Sequence, residues 1–423
     1  MPNTAADLLV AEKHRLESGA TLIYRHVPGA PRLAMGFFVP GGNCLDEIPG
    51  AADVIDRLLM KGTRTRDAEA IAVEIDGLTL EFDTDTRRDY SVMFATLLEE
   101  DLEPSLELMS DCFFSSTLDE FEREKEKMAG EIRMELDSPK ARASDLFIRT
   151  MFDDTAYSVV GSVIEESLPL MDNVEHLRAH YRRVYRPDRL VIVAAGDVKL
   201  ERLTSLLEQY FGDDLPGAAT GAASRLLLKN LNHKESKIVT FARDDSNQAH
   251  IFKGWLAPDA AHDDFYPLAV LNTVLGGAGL SSRLFVELRD KQGLAYNVRS
   301  AYESYHYRGM FSMYIGTEPS NVQKCLKGFE EECQKLIDAP ISQQELEETK
   351  RNILGRRSVF LETASQQASY LGTNYILGRS LEQIAAMPDR IRAVTVEDLQ
   401  RVAQTYFTQP PVIAIVGPSA CLI

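Results

Sequence analysis

The sequence is written twice, and a chain that repeats itself at half its own length folds as two copies of one domain. MGFFVPGGNCLDEIPGAADVIDR lies over KGWLAPDAAHDDFYPLAVLNTVL, which sets Gly36 on Gly254, Pro40 on Pro258 and Pro49 on Pro267. STLDEFEREKEKMAGEI lies over ISQQELEETKRNILGRR, with Thr117 on Ser342, Glu120 on Glu345 and Lys125 on Lys350. VEHLRAHYRRVYRPDRLVIVAAGD lies over VEDLQRVAQTYFTQPPVIAIVGPS. The copies cover roughly 16–198 and 236–418. Each reads as strand, helix, strands, long helices, then a short apolar strand ending near a glycine. So long a period means duplication, because solenoid repeats are far shorter. The expected fold is α+β, with two homologous duplicated domains, each a mainly antiparallel sheet packed with helices. Their expected limits are 1–212 and 231–423, joined by a Gly/Ala-rich linker at 213–230. A site would combine residues from both copies, since domain interfaces favour clefts.

Composition narrows the function classes. The net charge of −18, from 46 Lys and Arg against 64 Asp and Glu, argues against nucleic acid, which needs a basic stripe. It is compatible with an acidic surface or cavity that receives basic peptides. No apolar run approaches the roughly 18 residues of a membrane span. The N-terminal residues lack a basic region followed by an apolar stretch. Five cysteines without CxxC spacing support neither a disulfide framework nor a zinc ribbon. A cytoplasmic protein with no membrane partner is expected.

One helix is unusual. In PGAADVIDRLLMKGT, Pro49 suits a first helical turn, and Ala51, Val54, Ile55, Leu58 and Leu59 form one apolar stripe. Asp53, Asp56 and Arg57 share the other face, at i, i+3 and i+4. Under the repeat they correspond to Leu271, Val274 and Leu275. The second copy therefore covers this face with apolar partners, and the charged trio of the first copy marks a specialised position rather than an open surface. His176 and His180 are the other pair at metal-ligand spacing, but no third ligand is near in sequence. They read as structural, His176 toward solvent and His180 partly packed. GGAGLSS lacks the lysine of a phosphate loop.

GAADVIDRLLMKGT resembles the signature helix of the pitrilysin/insulinase-type zinc peptidases, which include mitochondrial processing peptidase. The family pattern is G-x-x-H-x-x-E-H, two residues, then F-K-G-T. EFEREKEKMAGEIRMELDSP resembles the segment that supplies the third metal ligand. LGGAGLSSRLFVELRDKQGLAYNV with YRGMFSMYIGT resembles the second-domain signature. The resemblance spans nearly the whole chain and implies a clamshell of the two domains. By position it places the first ligand histidine on Asp53, the catalytic glutamate on Asp56 and the second histidine on Arg57. Glu131 matches the third ligand and Glu124 the family's additional acidic residue.

Arg57 is the decisive departure. A guanidinium has no lone pair to donate and stays charged in proteins, so it repels a dication. The chain is therefore expected to hold no zinc and no other metal of its own, with Arg57 paired to Asp53 and Glu131 instead. A competing reading has Asp53, Asp56, Glu124 and Glu131 hold Mg²⁺ or Ca²⁺ through oxygen ligands, with Arg57 swung away. The resemblance also matches Arg289 and Tyr296 to an arginine–tyrosine pair of bacterial relatives that orients the substrate backbone and assists the oxyanion. The family's peptide-binding edge strand falls near Glu81-Phe82, where its usual Asn-Ala is missing. What this implies is the non-metal subunit of a heterodimeric peptidase of small unfolded peptides, inactive alone. A homologous partner subunit bearing HxxEH would supply zinc, and a homodimer in isolation is compatible. The alternatives are an inactive binding or scaffold protein, as in respiratory-complex core subunits of this family, and an independent hydrolase using the acidic site.

Overall fold

The computed structural model describes residues 9–78, 80–212 and 231–422, so the expected linker at 213–230 lies outside the described residues. Two sheets organise the chain. The first contains β1 (Glu12–Arg15), β2 (Thr21–His26), β3 (Leu33–Pro40), β4 (Glu81–Thr86), β5 (Tyr90–Leu97) and β6 (Val191–Gly196), in the order β1-β2-β6-β3-β5-β4. The second contains β7 (Lys237–Ala242), β8 (Ala249–Ala257), β9 (Ala295–Ser304), β10 (Gly309–Thr317) and β11 (Val412–Gly417), in the order β7-β11-β8-β10-β9. With β1 set aside the two orders are the same. The pairings repeat too: β2 with β6 and β7 with β11 are parallel, and every other pair is antiparallel. The duplication read from the sequence is thus a duplication of topology.

Individual contacts repeat as well. Lys125 and Lys350, aligned in the sequence, sit on the helices Phe121–Leu136 and Gln343–Phe360. Lys125 Nζ donates to the Met171 carbonyl at 2.8 Å, and Lys350 Nζ donates to the Arg392 carbonyl at 2.9 Å. Each lysine also pairs with the glutamate three residues before it, Glu122 or Glu347. Helices Val174–Val184 and Val396–Tyr406 coincide residue for residue in the alignment.

The compact units cut across the repeat. One gathers the described residues of Met1–Glu131, Ile164–Ser224 and Ser358–Ala385, and the other those of Ile132–Val163, Arg225–Arg357 and Ala386–Ile423. The contiguous halves expected from the sequence are therefore not the same division. Each sheet has one face covered by a helix from the other half of the sequence: Pro139–Met151 lies on β8 and β11, and Ala364–Ile376 on β3 and β6. These helices are themselves equivalents in the repeat, both 13 residues long and both N-capped by a hydroxyl, Ser138 or Thr363.

The two helix-to-sheet contacts solve one packing problem in opposite ways. On the first sheet the ring belongs to the strand: a Cβ on Gly372 would come within 2.1 Å of the Phe38 ring. On the second the ring belongs to the helix: Phe147 stacks on Phe252 at 5.5 Å, and a Cβ on Gly254 would approach Phe147 to 2.8 Å. Ring against glycine fills the same space in either orientation, as close-packed interiors require. Among the described residues no helix is long and apolar enough to cross a membrane.

Candidate functional site

The signature helix runs over Ala51–Leu58 and buries Ala51, Ala52, Val54, Ile55 and Leu58, the expected stripe. Pro49 lies one residue ahead of the cap rather than in the first turn. The cap is Gly50, at φ 89°, a left-handed conformation natural to glycine. Gly50 has no side chain to cap with, so Asp46 does that work from outside the helix. Its carboxylate accepts from the Gly50 and Ala52 amides, both at 3.0 Å. Asp53 in the first turn and Arg57 in the last also complement the helix dipole.

All three charged residues are half-buried, which agrees with a specialised face. In the second copy Leu271, Val274 and Leu275 are buried. The expected Arg57–Asp53 pair is not formed. Asp53 Oδ2 accepts from Asn43 Nδ2 at 2.5 Å, and Asn43 also reaches Asp46 Oδ2 at 3.4 Å. A short polar side chain in the preceding turn outcompetes Arg57, whose guanidinium points to the later helix. There Arg57 Nη2 donates to Glu131 Oε2 at 2.5 Å and holds its carboxyl below the usual carboxylate range. Beside it Lys61 Nζ meets the buried Glu124 at 3.2 Å. Asp56 accepts from the Thr84 hydroxyl of β4 at 3.0 Å.

These partners test whether a zinc ion fits the residues present, and it does not. The later helix brings Glu124 and Glu131 to the signature helix, where Arg57 and Lys61 occupy their oxygens. Two monovalent cations carry the charge that a dication would bring, and no imidazole is present at Asp53 or Arg57. Among the described residues no group of three or more His, Cys, Asp or Glu is placed to hold a metal ion. Sequence reasoning missed Asn43, Asp46, Lys61 and Thr84. Lys61 alone was signalled, by its place four residues after Arg57.

Burial pushes Asp53 up to about 6 and Asp56 up to about 7, from 3.8. A carboxyl raised on folding contributes stability that is complete below pH 3.8 and is lost as the pH rises through the folded value. Asp56→Asn keeps an acceptor for Thr84 and removes the buried charge. The variant is expected to be more stable than the wild type at pH 8, on the order of 2 kcal/mol after discounting for partial exposure. The gap should close by about pH 4. Denaturant midpoints at the two pH values check this, and an equal gap at both would contradict it.

His180 is buried, and its ring, which accepts from Arg183 at 3.1 Å, is pushed down to about 4, chiefly by burial and then by Arg183. His176 is exposed and lies 3.8 Å from Asp172. His176 thus faces solvent as expected, while His180 is buried outright where a partly packed ring was expected.

Arg289 and Tyr296 come together in the second unit. Arg289 sits on a helical segment with π-type bonding, Phe285–Lys291, and Tyr296 on β9, the edge strand. The β9–β10 register slips here: Ala295 faces Thr317 and Asn297 faces Gly316, leaving Tyr296 opposite no residue. Such a bulge re-aims a side chain and frees its backbone. Arg289 Nη1 takes the Tyr296 carbonyl at 2.9 Å, and its guanidinium lies 4.4 Å from the Phe285 ring centre and 4.7 Å from that of Tyr296. The tyrosine is 83% exposed, so it does not serve the core. The pair borders a cavity of about 310 Å³ whose other wall is the glycine loop at Gly276, Gly277 and Gly279. Glu81-Phe82, the expected substrate-strand position, begins β4, the edge strand of the first sheet.

A duplicated α+β scaffold with a signature helix beside two retained glutamates, and an arginine–tyrosine pair on a bulged edge strand, defines a peptidase-type architecture. Residues 21–160 match the model described as insulinase (peptidase family M16), and residues 173–353 match the "Peptidase M16 inactive domain". The Bacillus subtilis protein named "Uncharacterized zinc protease YmxG" is 30% identical over 415 residues, covering 96% of this chain and 98% of its own. The chain belongs to peptidase family M16. Among solved structures, a protease from Helicobacter pylori superposes with TM-score 0.89 at 22% identity, covering 97% of this chain and 100% of that one. A peptidase M16 inactive domain from Pseudomonas fluorescens superposes with TM-score 0.85 at 21% identity, covering 97% and 98%.

Proposed function

We propose that this chain is the non-metal subunit of a heterodimeric zinc peptidase, supplying Arg289, Tyr296 and part of the walls around small unfolded peptides. A homologous subunit bearing HxxEH supplies the zinc and the general base. The observation that carries this reading is the asymmetry between the two sites: cations fill the metal position, while the arginine–tyrosine pair is assembled and open. Arg289 spends one of its five N–H donors on the Tyr296 carbonyl and keeps the rest for a ligand. Arginine and tyrosine both donate to a carbonyl oxygen that gains charge in the transition state, which is how such a pair accelerates peptide hydrolysis.

A second reading, a scaffold protein without turnover, is favoured by that same Arg289 bond, which a purely structural arginine would also make. Association tests the first step. Sedimentation of the purified chain with the closest HxxEH homologue of its cell should give a one-to-one complex. Two proteins that sediment independently at micromolar concentration would contradict the subunit reading.

The cation substitution at the metal position gives a separate prediction. The triple variant Asp53→His, Asp56→Glu and Arg57→His places two imidazoles beside Glu131 and removes its ion pair. It is expected to retain about one zinc per chain after dialysis, against none for the wild type, by elemental analysis. A variant that stays metal-free would show that more than these three side chains separates the site from a zinc centre.

A further inference from the structure

Among the described residues the two sheets differ at one edge, where the first carries a strand that the second lacks. β2 and β7 hold the same place: Thr21 N donates to the Leu190 carbonyl at 2.9 Å, and Lys237 N to that of Pro411 at 3.0 Å. At the far ends Val27 N donates to Gly196 at 2.9 Å and Arg243 N to Gly417 at 2.8 Å. In the first sheet β1 lies antiparallel along the outer side of β2, with Glu12 opposite Tyr24 and His14 opposite Leu22. The equivalents of Leu22 and Tyr24 are Ile238 and Thr240. Among the described residues β7 pairs with β11 alone. Lys237 and Arg243 spend their amides on the β11 side, so alternation turns the N–H and C=O groups of Ile238, Thr240 and Ala242 outward.

Exposed edges invite pairing with other chains, and proteins blunt them with charge, brevity or a bulge. The other sheet edges among the described residues are treated in this way. β1 is the four residues EKHR, β4 carries Glu81, Asp83 and Asp85, and β9 is bulged at Tyr296. β7 is not. Its sequence KIVTFA has no charge after Lys237, four strong strand formers in a row and an unbroken register with β11. Its one lysine is drawn aside to Asp153 at 3.2 Å. Ile238 is 51% exposed, whereas its equivalent Leu22 is fully buried.

We propose that the outer edge of β7 is an interface between two copies of this chain, paired antiparallel into one continuous sheet. The occupant is a second copy because the flanks of the strand complement each other. Lys234, Glu235 and Lys237 give its start one net positive charge, and Arg243, Asp244 and Asp245 give its end one net negative charge. Antiparallel pairing sets each start beside the other copy's end, whereas parallel pairing would set like on like. Each copy presents the same row of groups, as a twofold contact requires. A seam of two short strands is small, so the dimer dissociates on dilution. β9, with Tyr296, is the opposite edge of the same sheet, four strand spacings or about 19 Å away. The seam therefore leaves the arginine–tyrosine pair open and does not depend on the function read from it.

Sedimentation of the full-length chain over about 1 to 100 µM should show its mean mass rising toward twice that of the monomer. Hydrogen exchange at the Ile238, Thr240 and Ala242 amides should slow over the same range. Thr240→Pro removes an outward N–H, which an edge strand tolerates, and should keep the chain monomeric with its circular dichroism unchanged. Ile238→Lys adds a charge to the seam and should do the same, and it decides the matter if the proline variant unfolds. A monomer at every concentration, or a dimer that survives a folded variant, overturns the proposal. Outward amides already protected in the monomer also overturn it, because β7 is then covered within its own chain.

Discussion

Arg289→Ala is expected to lower the turnover of the reconstituted peptidase by about 100- to 1000-fold, the usual cost of removing one oxyanion donor. The effect should fall on kcat, because the donor acts on charge that develops only in the transition state. Arg289 does two things at once. It holds the bulge by taking the Tyr296 carbonyl, and it presents its remaining N–H groups to the cavity. Alanine removes both, so Tyr296 loses the cation against its ring and the anchor of its backbone. Lysine keeps the charge but cannot lie as a planar fork between Phe285 and Tyr296, so Arg289→Lys should recover little. Single-turnover and steady-state rates at saturating peptide check the prediction, with complex formation measured alongside. A variant with unchanged kcat would reduce Arg289 to a structural arginine.

Phe147→Ala is expected to have the largest effect on stability, about 3–5 kcal/mol. The ring is 1% exposed and stacks on Phe252 at 5.5 Å. It sits over Gly254, which has no Cβ to move into the space left behind. The Pro139–Met151 helix comes from the first half of the sequence but covers the second sheet. Losing its ring therefore weakens the exchange between halves as well as one core. Urea unfolding followed by tryptophan fluorescence suits the question, because Trp255, the single tryptophan, lies on β8 of that same sheet. A loss below 1 kcal/mol would mean that the neighbouring side chains collapse into the cavity.

The repeat made the fold legible. Gly36 on Gly254 and Lys125 on Lys350 are positions where a strand has no room for a side chain or where the same bond recurs, and such constraints leave a mark in the sequence. The exchange of helices left none. Alignment identifies Pro139–Met151 and Ala364–Ile376 as equivalents, but equivalence does not say which sheet each one covers. Phe147 and Gly372 are aligned yet opposite in size, which is the one trace of a contact rebuilt with its partners reversed.

The site divides in the same way. Arg57 on Glu131 was legible, because a cation aligned with a ligand position needs an acid, and Glu131 is the acid the pattern provides. Asp53 was misjudged, since helix spacing offers Arg57 as its partner, whereas Asn43 comes from the preceding turn. The bulge at Tyr296 was not legible either. It arises from register between β9 and β10, and the alternation of AYNVRSAYES does not announce the extra residue.

Peptide turnover by the purified chain alone, by its HxxEH homologue alone and by the two together tests the central claim most directly. The account predicts metal-dependent hydrolysis only in the mixture, with zinc confined to the homologue. Metal-dependent cleavage by this chain alone would contradict it, because Arg57 and Lys61 would then stand where a working metal ion sits.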